Sequence, residues 1–132
     1  MSCVHLLCAD HPLPLYDPHT RQVCARRGIQ YEEDGFAVRE HAYYRAAVNA
    51  LGFSMKPWQH ELDLRATDQD AELLRRYLRA HCAPGEQVEL WHLWVGEDHL
   101  RPSYLAGRLA DLDTDTLEQL NEREQTCIML TI

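Results

Sequence analysis

Apolar residues alternate with period two, the repeat of a β-strand, in four places along the chain. In "SCVHLLCA" Val4, Leu6 and Cys8 point one way and Cys3, His5 and Leu7 the other. Both faces carry apolar groups, which predicts a strand inside a sheet. In "WQHELDLRAT" His60, Leu62, Leu64 and Ala66 share a face opposite Glu61, Asp63 and Arg65. That predicts a half-buried strand near an edge. In "EQVELWHLWVG" Val88, Leu90, His92 and Trp94 alternate with Trp91, Leu93 and Val95. Two apolar faces predict a central strand covered on both sides. "TCIMLTI" predicts a last strand, with Thr126, Ile128, Leu130 and Ile132 on one face.

The 3.6-residue period of a helix appears elsewhere. In "TDQDAELLRRYLRAHCAPG" Ala71, Leu74, Tyr77 and Leu78 form one stripe. Thr67 or Asp68 can cap its start, acids fill its first turn, and Pro84 and Gly85 stop it. In "REHAYYRAAVNALG" the stripe is Tyr44, Ala47, Val48 and Leu51, and Gly52 suits the end of the helix. "RPSYLAGRLADLDTDTLEQLNE" predicts one or two short helices, the second capped by Asp113 or Thr114. Asp34-Gly35, between "IQYEE" and "FAVRE", is a type I′ hairpin signal.

From residue 58 onward the order is therefore strand, helix, strand, helix, strand. Such alternation implies crossover connections and some parallel pairing. The expected architecture is α+β, an α/β sandwich, with a single mixed sheet of about four to six strands packed on two to four helices. With 132 residues and no Pro/Gly/Ser-rich linker, residues 1–132 read as one domain.

Charge narrows the function. There are 13 basic and 21 acidic residues, a formal net charge of −8. That argues against binding nucleic acid or anionic membranes, because such binding neutralises phosphates. No stretch approaches the roughly 20 apolar residues of a membrane helix. The first residues lack the basic region and long apolar run of a signal peptide. Five cysteines, an odd number at irregular spacings, do not read as a disulfide framework. A cytoplasmic location is expected.

Three functional readings follow. The first is a protein-binding or regulatory module without catalysis of its own. The C-terminal third concentrates Glu97, Asp98, Asp111, Asp113, Asp115, Glu118, Glu122 and Glu124 against Arg101, Arg108 and Arg123. Such a surface would steer and hold a basic protein, with Asp111, Asp113, Asp115 and Glu118 as its contacts. The second is a small enzyme or ligand-binding protein with a site at the end of strand 87–95. His92 lies in that strand, and Glu97, Asp98 and His99 follow it. In open α/β sheets ligands sit beyond the carboxyl ends of strands, and imidazole titrates near neutrality. The third is a zinc domain. Cys8-x2-His11 and His19-x4-Cys24 are spacings that small zinc sites use, and the loop between could bring the two pairs to one tetrahedral ion. Cys8 also shares a face with Val4 and Leu6, so it equally reads as a core cysteine. No phosphate-binding glycine loop and no Gly-x-Ser-x-Gly is present, and His60-Glu61 lacks the second histidine of H-E-x-x-H.

Overall fold

The computed structural model describes residues 2–19, 21–96 and 101–132. The elements in chain order are β1 (Ser2–Ala9), β2 (Arg21–Arg26), β3 (Ile29–Asp34), β4 (Ala37–Glu40), α1 (Arg45–Leu51), β5 (Trp58–Asp63) and α2 (Asp68–His81). They continue with β6 (Gln87–Val95), β7 (Ser103–Arg108), a 3-10 turn (Leu109–Asp111), α3 (Thr114–Asn121) and β8 (Thr126–Thr131). Six strands form one mixed sheet in the order β4-β5-β1-β6-β8-β7; β2 and β3 form a separate two-stranded ribbon. The fold is α+β, as the alternation predicts.

The segment with two tryptophans is interior. β6 lies between β1 and β8 and is antiparallel to both. Its alternation sorts two cores. Val88 and Leu90 join Leu7, Leu62, Leu74, Leu78, Leu117 and Leu120 on the face covered by α2 and α3. Trp91, Leu93 and Val95 join Val4, Leu6, Cys8, Val48 and Leu51 on the face covered by α1. Strands buried on both faces need apolar groups at successive positions, and β1 and β6 have them. β5 and β6 are both antiparallel to β1 and so run in the same direction, with α2 carrying the chain over β1. Among the described strands the one parallel neighbour pair is β7 and β8, joined through α3.

Helix ends obey local chemistry. Thr67 Oγ1 accepts the Asp70 N–H, and the buried Asp70 carboxylate reaches back to the Arg65 N–H at 2.7 Å. The first bond occupies an amide that the start of α2 leaves unpaired, and the second ties the preceding loop to the helix. Asp113 caps α3 by accepting the Thr116 N–H at 2.9 Å. Gly52, at φ +72°, ends α1 in the left-handed conformation that glycine adopts without strain.

Two local expectations are corrected. The hairpin turn is not Asp34-Gly35 but Arg27-Gly28, which has φ of +54° and +78° as a type I′ turn requires. After Asp34 the run Phe36-Ala37-Val38 is drawn into the main sheet, where all three residues are buried. Burying that run outweighs the local turn preference of Asp-Gly. The first half of 101–122, expected to be helical, is strand β7. Residues 103–108 have no helical stripe, and Gly107 lowers helix propensity by about 1 kcal/mol. Only 114–121 has a stripe, Leu117 and Leu120, to bury.

Candidate functional site

β1 outruns its neighbour β5. Its pairing with β6 starts at Ser2↔Val95, whereas its pairing with β5 stops at Leu6↔Glu61. Beyond that point β5 turns toward α2 and leaves a cavity of about 520 Å³, lined by Cys3, His5, Arg39, Glu61, Asp63 and Asn121 among others. It lies at the carboxyl end of β5 beside the start of β1; among the described residues, none of those expected at the end of strand 87–95 lines it. Arg39 bridges Asp17 and Asp63, each at 2.8 Å. Burial, and then the neighbouring Asp63, raises the Glu61 carboxyl above its usual range.

His92 lies beside this cavity, buried, and the register brings it to partners far away in sequence. His5 is its cross-strand partner, with ring centroids 5.1 Å apart. His92 Nδ1–H donates to the Arg123 carbonyl at 2.8 Å. That bond fixes the tautomer and leaves Nε2 as an acceptor for the Cys3 thiol, also at 2.8 Å. His5 Nε2–H donates to Asn121 Oδ1 at 2.6 Å. Gln125 secures the strand end with two bonds to the Trp94 backbone. Cys3, His92 and the Arg123 carbonyl thus form one hydrogen-bonded chain of thiol, imidazole and carbonyl. Burial lowers the pKa of His92 and raises that of Cys3, so the pair rests as thiol and neutral imidazole.

The other expected residues are dispersed. Glu97, Asp98 and His99 lie outside the described residues. Cys8 is fully buried in the α1-side core with Trp91 and Cys127, and burial pushes its thiol up strongly. His11 reaches Glu86 at 2.8 Å. His19 is exposed and lies 3.5 Å from Asp17. The Cys24 side chain is outside the described part. The structure therefore does not gather Cys8, His11 and His19 around one point. Cys3 was missed as a partner of His92 because only the β1–β6 register joins them, and no local spacing encodes it.

A second surface is formed by α3 and β7. Asp115, Glu118 and Glu122 are exposed on or just after α3, and no ion pair to them is present among the described residues. Asp111 is paired with Arg108 at 3.1 Å, and Asp113 is occupied as the helix cap. Next to them β7 is an end strand of the sheet. It exposes Tyr104 (63%) and Leu105 (41%), and a groove of about 360 Å³ between β7 and α3 is lined by Tyr104, Leu105, Gln119, Glu122 and Arg123. Ser103 N–H bonds to Gln125 O on the β8 side. Alternation along the strand then turns the Tyr104 and Ala106 amides outward. Edge strands are usually blunted by charge, proline or a covering segment. "SYLAGR" has one charge and no proline, and no described strand pairs with its outer side. The opposite edge differs: β4 is bridged by Tyr16 through two backbone bonds to Val38.

These features define an α+β protein with an open sheet edge. No protein-family model, curated protein or solved structure matches the chain. No helix among the described residues is long and apolar enough to cross a membrane.

Proposed function

We propose that the chain is a protein-binding module that holds a basic partner against α3 and the outer edge of β7. The observation that carries this reading is the nearly uncharged β7 edge, unpaired among the described residues, beside three carboxylates that have no ion pair among the described residues. A partner strand laid along β7 would satisfy its outward amides and carbonyls, and Tyr104 and Leu105 would give it apolar contact. The carboxylates would favour a basic partner and quicken encounter. They also disfavour the obvious competitor. Antiparallel pairing of two β7 edges would place two acidic α3 helices on the same face, where like charges repel. The cysteines Cys3, Cys8, Cys82 and Cys127 are free, which suits a reducing compartment such as the cytoplasm.

The test is a pull-down with the wild type, with a triple variant (Asp115→Lys, Glu118→Lys, Glu122→Lys) and with Ala106→Pro, which removes an outward-facing amide and leaves the bonds to β8 in place. The wild type retains a partner at low salt and loses it as salt rises above about 0.1 M, where the Debye length falls below about 10 Å. The triple variant and Ala106→Pro both lose it. Capture indifferent to salt and to both variants would exclude this face.

A second reading rests on the Cys3–His92 contact and the cavity beside it: a small-ligand site with thiol chemistry. His92 would take the Cys3 proton as the sulfur attacks an electrophile. Iodoacetamide then alkylates Cys3 ahead of the buried Cys8, Cys82 and Cys127, and His92→Gln slows the reaction at neutral pH. Equal rates for wild type and variant remove His92 as the base.

A further inference from the structure

We propose that His11, Cys82 and Glu86 form a zinc site in which one imidazole, one thiolate and one carboxylate leave a fourth position open to water or an external ligand. This site is remote in sequence from the proposed docking face and does not depend on that reading. It shares only His11 with the quartet suggested by sequence spacing. The three residues come from the loop after β1, the residue ending α2 and the residue before β6. One donor atom from each lies within 4.8 Å of the other two. Tetrahedral zinc, with bonds of about 2.0–2.3 Å, needs donors about 3.3–3.7 Å apart. Side-chain adjustment of about an ångström therefore closes the site.

The surroundings prepare these donors. His11 Nδ1–H donates to the Pro12 carbonyl at 3.1 Å. Ligating histidines usually make this type of outer bond, and it presents Nε2 to Glu86. The backbone that carries the other two ligands is held from both sides. Cys82 N–H bonds to Leu78 O, and Glu86 N–H to Ala83 O. The C-terminal Ile132 exchanges bonds with Gly85 and Glu86, each 2.8 Å. Gly85, at φ +90°, makes the turn that brings Glu86 back toward Cys82. Cys82 is buried, while the His11 and Glu86 side chains are 38% and 36% exposed. An ion can thus enter from solvent and meet a buried sulfur.

Donor chemistry selects the ion. Calcium and magnesium take oxygen ligands, whereas a sulfur, nitrogen and oxygen set suits zinc. On binding, the Cys82 S–H bond and the His11 Nε2–H bond facing Glu86 both break, the two protons go to solvent, and the sulfur and Nε2 lone pairs form the bonds to zinc. No change of oxidation state is involved.

Cobalt(II) added to chelator-treated protein tests the assignment. One equivalent should bind, giving a near-ultraviolet sulfur-to-cobalt band and tetrahedral visible bands, and zinc should abolish both. Cys82→Ser should lose the sulfur band, and His11→Gln and Glu86→Gln should each weaken binding by about tenfold or more. Cys3→Ser should bind as the wild type does. His11 is solvent-facing, so His11→Gln keeps the test valid if Cys82→Ser folds poorly. Absence of the bands at millimolar cobalt, a sulfur band that survives in Cys82→Ser, or unchanged affinity in His11→Gln would overturn the proposal.

Discussion

Replacing Trp91 with alanine lowers stability by about 3–5 kcal/mol, the cost of truncating a large buried aromatic. Trp91 is fully buried in the middle of β6. Its ring stacks on Phe53 at 6.0 Å and meets the ring of Tyr104 edge-on at 5.9 Å. Its indole N–H donates to Glu89 Oε1 at 3.2 Å, an oxygen that also accepts the Lys56 N–H. The alanine variant leaves a cavity between β6 and α1 and removes one of the two donors to a buried carboxylate. Domains of this kind have total stabilities of about 5–15 kcal/mol, so the loss is a large fraction of the whole. Trp58, on β5 and 47% exposed, is the internal control. Trp58→Ala should cost far less than Trp91→Ala. Urea unfolding followed by circular dichroism measures both, and equal costs would mean that β6 is not the centre of the sheet.

Acid should unfold the protein through its histidines. Burial lowers the pKa of His5, His41, His60 and His92 below the usual histidine value. Each is held neutral inside the protein, and two show how. His60 Nδ1–H donates to the Leu7 carbonyl while Nε2 accepts the Leu13 N–H. His92 likewise uses one nitrogen as donor and the other as acceptor. In the unfolded chain these residues titrate near about 6.5. Below that pH the unfolded state binds more protons than the folded state, so stability falls as pH is lowered. The decline starts near pH 6.5 and continues until each folded-state pKa is passed. Its ceiling is about 1.4 kcal/mol per pH unit for each histidine. His11 acts in the opposite sense, because its hydrogen bond to Glu86 raises its pKa. It is exposed, and solvent screening keeps its effect small. His41 offers a clean variant, since neither of its ring nitrogens has a hydrogen-bond partner among the described residues. His41→Leu should flatten the pH dependence without breaking a bond. Urea midpoints at pH 7.5, 6.0 and 5.0 measure this, and midpoints independent of pH would refute it.

Elements whose burial follows a clean period were legible in the sequence. β6, β5, α2 and β8 each carry a stripe or an alternation that a sheet with two covered faces must bury, and the structure buries it. β7 was not legible. "SYLAGR" lies at the rim with little to bury, so tertiary pairing with β8 decides its conformation and local pattern does not. The turn at Arg27-Gly28 was overshadowed by the stronger local signal at Asp34-Gly35, and burial of Phe36–Val38 settled the choice. Candidate sites were legible one residue at a time. His92, His11 and the acids of α3 could be picked out by residue type and position. Their partners Cys3, Cys82, Glu86 and Tyr104 come from other elements, and strand register together with crossover geometry brings them together. Neither has a signature in residue spacing.

Amide hydrogen exchange along β7 tests the docking account most directly. In the protein alone, Tyr104 and Ala106 should exchange at nearly the unprotected rate, while Leu105 and the amides of Leu90–Leu93 remain protected. In the partner-bound protein, Tyr104 and Ala106 should slow to match Leu105. Uniform protection of residues 103–108 in the isolated monomer, or no change at Tyr104 and Ala106 on binding, would contradict an open edge that receives a partner strand.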